Sequence, residues 1–389
     1  MEAHKAICGA IDDFRETAVA VGRSIHGRPE LKFEEHHAVE QLCKAAAGLG
    51  LRVETGIAGL ETAFRAELGR VAGPTVAIFA EYDALPNGHS CGHNLIAGAA
   101  LSAVAGLSAI ADRLPGRIVF MGTPAEEGGG GKILLLERGA LRGVDAALMA
   151  HPMDMEHSTM PALATRHLRI TFSGHAAHAA LAPWEGSSAL AAVLQTFHTV
   201  DMARLHFRDG SRIHGIITDG GQAVNIIPER AECLFLARAR TSEHAEEMAI
   251  RVIRCAEAAA MATGTRVDAR IEGGYKSMIN SLSIARRYAT HTASLGAHSP
   301  EAPPDLPTGS TDMGDISHAM PAIHPIFAIA RRGEGSCHED AFVTHANSSR
   351  GYDAMIRVAK ALAMTAYDLL ADEELMMAAA AEFDRRRET

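Results

Sequence analysis

Three short apolar runs, each closing on residues that can bind a cation, constrain this chain more than any other feature. Pro74–Ala80 runs into Glu81-Tyr-Asp83, Arg117–Gly122 into Thr123-Pro-Ala-Glu126-Glu127, and Val144–Ala150 into His151-Pro152. A continuous apolar run of this length is the pattern of a strand covered on both faces. Between the runs lie helical patterns at His93–Ile110 and Lys132–Glu137. Alternating strand and helix implies a mostly parallel sheet flanked by helices. Such sheets bind ligands beyond the carboxyl ends of their strands, so Asp83, Glu127 and His151 are expected at one edge.

The pattern changes after residue 165. Strand patterns at Arg166–Phe172, His214–Thr218, Glu232–Arg238 and Arg266–Gly273 are interleaved with helical ones at Glu185–Leu205 and Glu243–Thr263. The order strand-helix-strand-strand-helix-strand is that of a ferredoxin-like α/β unit. The reading is therefore a larger α/β domain at 1–165 and 277–389, interrupted by an inserted unit at 166–276. Beyond the insertion, Asn280–Ala293 and Ser349–Leu370 read as helices and Pro325–Ala330 as a strand. Gly296–Pro307 reads as a Pro-rich loop, Ser310–Ser317 as a polar segment and Glu382–Thr389 as a frayed polar tail.

At 389 residues, 47% of them hydrophobic, the chain can bury more than one core. Its net charge of -10 argues against a nucleic-acid partner, which requires a positive field. The first residues form an amphipathic helical pattern without the regions of a signal peptide, and Leu95–Ile110 is too short to span a membrane. The six cysteines are too irregularly spaced for a disulfide framework, which together with the absent leader points to the cytoplasm.

The chemistry concentrates in a few tracts. Gly88-His-Ser-Cys-Gly-His93 offers imidazole and thiolate, the donors of intermediate divalent ions, within five residues. In Glu126-Glu127 one carboxylate can ligate while its neighbour moves protons. Asp83 and Glu81 can each ligate directly or orient a histidine from behind, and the residues alone leave this open. Ser90 lacks a nucleophile-elbow context, and Cys91 with His93 suits ligation better than nucleophilic attack. Gly174-His-Ala-Ala-His178 can supply a hydrogen bond to developing negative charge. Asn225 and Arg238 are further candidates, Arg238 because a guanidinium grips a carboxylate bidentately.

These tracts identify a resemblance. FAEYDALPNGHSCGHNLIAGAA, GTPAEEGGGGK, ALMAHP, FSGHAAHAALAPWEG, HGIITDGGQAVNIIPE and STDMGDISH cover most of the chain in order. Together they resemble the zinc or manganese metallopeptidase and amidohydrolase family of aminoacylases and glutamate carboxypeptidases. Within it they are most similar to the branch of p-aminobenzoyl-glutamate hydrolases, auxin-conjugate amidohydrolases and β-alanyl-lysine dipeptidases.

The resemblance implies an α/β catalytic domain with a ferredoxin-like lid and dimerisation domain. It implies a pair of divalent ions, zinc or manganese with cobalt able to substitute in vitro, held by Cys91, His93, Glu127, His151 and His338. His338 is preferred to His345 because His338-Glu-Asp-Ala-Phe342 has the family spacing. It further implies Glu126 as general base, Asp83 as its catalytic neighbour and His178 as oxyanion stabiliser, often given across a homodimer. Asn225, Arg238, Thr311 and Asp312 would bind substrate. The implied reaction is hydrolysis, by metal-activated water, of an N-acyl amino acid, a p-aminobenzoyl-glutamate-like conjugate or a dipeptide. A dipeptidase requiring a free amine, or a noncatalytic subunit of a hetero-oligomer, are the alternatives. One departure stands out, since Glu81 occupies the place where the wider family carries a ligating histidine.

Overall fold

The computed structural model describes residues 2–70, 72–306 and 308–387. The chain folds into two compact units. The first comprises Met1–Pro161, Met278–Thr308 and Asp315–Thr389, and the second Ala162–Ser277 and Gly309–Gly314.

In the first unit a six-stranded sheet runs, in spatial order, Val53–Thr55, Phe64–Gly69, Arg117–Thr123, Thr75–Glu81, Ala146–Leu148 and Ala322–Ile323. The last four are mutually parallel and the first two form an antiparallel edge. Every residue of Thr75–Glu81 is buried, as its unbroken apolar run requires of a central strand. Helix His93–Ser108 is buried around its whole circumference, which explains why its sequence is apolar on every side. Helix Glu2–Gly27 lays the stripe Ile7, Ile11, Ala18, Val21 and Ile25 against the same core. The approach is close enough that a Cβ on Gly106 would meet Ile11 Cγ1 at 2.6 Å.

The third run of the sequence reading divides in two. Ala146–Leu148 belongs to the main sheet, whereas His151–Met153 pairs in parallel with Ile326–Ala328 as a separate ribbon. The polar tail is also more ordered than its composition suggests. Glu373–Arg387 is helical, and Glu382 accepts from the backbone N–H groups of Leu282 (3.0 Å) and Ser283 (3.1 Å). It thereby caps helix Leu282–Ser294, whose first N–H groups have no partner within the helix. Residues 388 and 389 lie outside the described residues, as does Pro307 of the Pro-rich loop. The segment read as polar, Ser310–Ser317, contains a short helix at Met313–Ser317.

The second unit is a four-stranded antiparallel sheet in the order Arg266–Gly273, Ala164–Ser173, Arg230–Ala239, Arg212–Asp219. Numbered along the chain this is 4-1-3-2, the ferredoxin-like arrangement. Ala231, Cys233, Phe235, Ala237 and Ala239 alternate into a core shared with helices Ala189–Ala203 and Ser242–Thr263. Arg238 points to the opposite face, where its Nη1 donates to Ser310 Oγ at 3.2 Å. That contact and the Leu163 N–H to Gly309 O bond hold Gly309–Gly314 to this unit.

Candidate active site

Within the first unit, the loops that follow the parallel strands bring six donor side chains together. Cys91, His93 and His151 form one group, Cys91, Glu127 and His338 a second, and His93, Glu126 and Glu127 a third. In each group the ligand atoms lie within 4.8 Å of one another. The groups share members, so the six residues make one continuous cluster.

The local backbone explains how one tract supplies two donors. Gly92 has φ +73°, which turns the chain sharply between Cys91 and the first residue of helix His93–Ser108. A Cβ there would also lie 2.6 Å from Pro152 Cγ, so glycine is needed for space as well as conformation. His89 of the same tract turns away, its Nε2 bonding the Ile25 carbonyl at 3.2 Å.

Asp83 joins two of the donor loops. Its Oδ1 accepts from His93 Nδ1 at 3.0 Å and its Oδ2 from the Glu127 N–H at 2.8 Å. A carboxylate can only accept, so Nδ1 of His93 carries the proton and Nε2 is left facing the cluster. Here Asp83 orients a donor. His151 is fixed in the same sense, with Nδ1 donating to the Pro152 carbonyl at 2.8 Å and Nε2 lying 3.4 Å from Cys91 Sγ. Burial lowers the pKa of His151 to about 4, so its imidazole is neutral and ready to donate a lone pair. Glu127 Oε1 lies 3.2 Å from His338 Nε2.

The donor set fits a divalent cation. Thiolate, imidazole and carboxylate ligands about 2.0–2.3 Å from a tetrahedral centre stand roughly 3.3–3.6 Å apart, which matches the Cys91–His151 separation of 3.4 Å. His93 Nε2 and Glu81 Oε1 are buried and form an ion pair at 3.3 Å without hydrogen-bond geometry, and neither has another hydrogen-bond partner among the described residues. Leaving such atoms unmet is costly unless another group satisfies them. Burial opposes a charged His93, but Glu81 and Asp83 outweigh it and hold its pKa well above the ordinary value.

Sequence reasoning missed four residues around the cluster. Lys132 is fully buried, with Nζ 2.5 Å from Glu81 Oε2. Burial opposes ionisation of Glu81, and Lys132 and His93 outweigh it, keeping the carboxylate charged. Glu35 is fully buried and accepts from Phe33 N (2.9 Å), Ala125 N (2.8 Å) and Thr62 Oγ1 (2.7 Å). It thereby holds Ala125, at φ +60°, in the turn that presents Glu126. His324, its ring 5.7 Å from that of His151, donates Nδ1–H to the Met149 carbonyl at 3.3 Å. Its Ile323-His324-Pro325 context repeats the strand-end His-Pro of His151, which was the available signal. Cys337 precedes His338, and its Sγ lies 3.7 Å from the carbonyl oxygen of Pro152, next to the His151 that Cys91 meets. His338 itself has φ +75°, and its N–H donates to the Ser90 carbonyl at 2.8 Å.

The remaining candidates lie in the second unit, at opposite ends of its sheet. His178 and Asn225 share one end, where Ala179 N–H donates to the Asn225 carbonyl at 3.0 Å. His178 Nδ1 accepts the Ala180 N–H at 3.2 Å, which leaves Nε2–H as an outward donor on an exposed ring. Arg238, Thr311 and Asp312 belong to the other end, with Thr311 and Asp312 buried. From Arg230 to Arg238 the strand covers about 27 Å, at about 3.4 Å per residue.

The model of peptidase family M20/M25/M40 matches residues 74–361. The chain is 37% identical over 393 residues to the Xaa-Arg dipeptidase of Mus musculus, covering 96% of this chain and 90% of the relative. It is 32% identical over 305 residues to a subunit of the p-aminobenzoyl-glutamate hydrolase of Escherichia coli K12, covering 73% of this chain and 63% of that protein. Among solved structures it is similar to an aminobenzoyl-glutamate utilization protein from Klebsiella pneumoniae, with TM-score 0.75, 18% identity, and coverage of 93% and 98%. It is also similar to a dinuclear metal-binding peptidase of the M20 family from Bacillus subtilis, with TM-score 0.72, 20% identity, and coverage of 93% and 99%.

Proposed function

This chain belongs to peptidase family M20/M25/M40 and is a metal-binding hydrolase of amide bonds, from which we propose that it is a dipeptidase releasing a cationic C-terminal residue. The observation that carries the reading is the single continuous cluster of Cys91, His93, Glu126, Glu127, His151 and His338. The near full-length similarity to an Xaa-Arg dipeptidase supplies the substrate class.

We assign Cys91, His93, Glu127, His151 and His338 as ligands of a pair of divalent ions, zinc or manganese. When bound, these ions supply Lewis acidity to the scissile carbonyl and ease deprotonation of water. Glu126 takes the proton of the attacking water and returns it to the leaving amine. Asp83 holds His93 with Nε2 directed inward and fixes Glu127 through its backbone, so that both donors are set before substrate arrives.

The second unit, read as residues 166–276 in the sequence, is assigned the groups that grip substrate. His178 Nε2–H is a preset donor for the oxyanion, with Asn225 beside it. Arg238 recognises the substrate carboxylate, in company with Thr311 and Asp312. Because the His178 and Arg238 ends stand about 27 Å apart along a strand, we assign them to the catalytic centres of two different copies in a homodimer. Exposed Leu181, Trp184, Val224 and Ile226 surround the His178 end, which suits a surface covered by another copy. A reducing, cytoplasmic setting suits the six free thiols. No described helix is long and apolar enough to cross a membrane.

A matched substrate panel tests this proposal. Release of arginine or lysine from Xaa-Arg and Xaa-Lys dipeptides is expected to exceed release from their N-acetylated forms. Preference for the acylated forms would make the enzyme an aminoacylase, and activity only with an added companion protein would make it one part of a heteromer.

A further inference from the structure

We propose that Cys91 and Cys337 are a modification site, joined as a disulfide by a peroxide, and that joining them withdraws Cys91 from the metal centre. The proposal rests on Cys91 being a metal ligand.

Two cysteines that lie 246 positions apart in the chain meet beside the donor cluster. Their thiols lie within interaction range of each other. Cys91 Sγ lies 3.4 Å from His151 Nε2, and Cys337 Sγ lies 3.7 Å from the Pro152 carbonyl oxygen and 4.0 Å from Met153 Sδ. Both sulfurs therefore sit over the short strand His151–Met153. The backbone holds them there, since the N–H of His338, next to Cys337, donates to the carbonyl of Ser90, next to Cys91, at 2.8 Å. Exposure differs between the two. Cys91 is 8% exposed, whereas Cys337 is only partly buried and offers a small oxidant its point of entry.

The chemistry balances with a peroxide as oxidant. The Cys337 thiolate attacks the OH oxygen of the peroxide, the O–O bond breaks, and Cys337 becomes a sulfenic acid as the other oxygen leaves, taking a proton from solvent to become water or alcohol. Cys91 then attacks that sulfur as the thiolate, the S–O bond breaks, and the leaving hydroxide takes a proton from solvent and departs as water. Two electrons have passed from the sulfur pair to the peroxide. A disulfide sulfur is no longer an anionic donor, so the group of Cys91, His93 and His151 loses its only thiolate.

Metal-loaded and chelator-treated protein would be exposed to hydrogen peroxide, alkylated, digested without reductant and read by mass spectrometry, while a chromogenic chelator follows released metal. The expected product is a peptide pair linked through Cys91 and Cys337, lighter by two hydrogens than its parts. Metal release should rise with it, and dithiothreitol should restore both free thiols and metal uptake. Cys337→Ser is expected to bind metal as the wild type does and to lose the dithiothreitol-reversible part of the inactivation. No linked peptide in either state overturns the disulfide, whatever the metal content. A linked peptide in protein that keeps its metal overturns the ligand role of Cys91 and the proposal with it. Loss of metal from untreated Cys337→Ser would place Cys337 on the ion and also overturn the proposal.

Discussion

At the scale of single residues, function depends on which atom of each side chain is left pointing inward. Asp83 occupies Nδ1 of His93 and the backbone of Glu127, and the Pro152 carbonyl occupies Nδ1 of His151. In both histidines Nε2 is what remains for a metal. Replacing Asp83 by Ala is expected to weaken metal binding by about 10–100-fold, measurable by competition with a fluorescent chelator; unchanged affinity would show that His93 needs no orienting partner. Glu126 is assigned the proton. Glu126→Gln should keep its metal and lose nearly all turnover, and near-normal turnover would remove Glu126 from the role of base.

At the scale of elements, the centre is built where buried strands stop. The end of Thr75–Glu81 places a carboxylate inside the protein, and Lys132 at 2.5 Å offsets it. Breaking such a buried pair from one side costs about 3–5 kcal/mol, so Lys132→Met should lower the denaturant midpoint markedly; a midpoint like the wild type's would show that Glu81 is neutral. Glu35 gives a pH signature. Burial outweighs its hydrogen bonds and pushes its pKa from 4.5 up to about 7 in the folded chain. Between those values the unfolded chain has released a proton that the folded chain retains. Stability from this group is therefore full below about 4.5, falls as pH rises towards about 7 and is level beyond. Thermal melts of chelator-treated Glu35→Gln should lack that fall, and an identical pH profile would contradict it.

The same elements show what a sequence can disclose. Continuous apolar runs betray buried strands, and the polar residue after each run is forced to the sheet edge, so Asp83, Glu127 and His151 were legible as neighbours. The 3.6 and 2 periodicities likewise revealed the inserted α/β unit. Glu35, Lys132 and Cys337 were not legible, because each acts through a partner distant in sequence, whereas His324 carried a signal in the strand-end His-Pro that it shares with His151. Glu35 meets Ala125 ninety residues away, and Lys132 meets Glu81 fifty-one away. The cap that Glu382 places on Leu282–Ser294 was hidden for the same reason, inside a tail that reads as solvated.

At the scale of the whole molecule, the assignment of His178 and Arg238 to different centres makes activity depend on a second copy. His178→Ala and Arg238→Ala proteins, each nearly inactive alone, should recover part of the activity when mixed and allowed to exchange subunits. Failure to recover in a mixture shown to exchange would return both residues to one centre. The central claim, that the cluster of Cys91, His93, Glu126, Glu127, His151 and His338 binds the metal that hydrolysis needs, is tested most directly by removing and restoring that metal. Chelated protein should hydrolyse no Xaa-Arg dipeptide, and adding zinc or manganese should restore turnover as a pair of ions is taken up per chain. Undiminished hydrolysis by protein shown to be free of metal would contradict it.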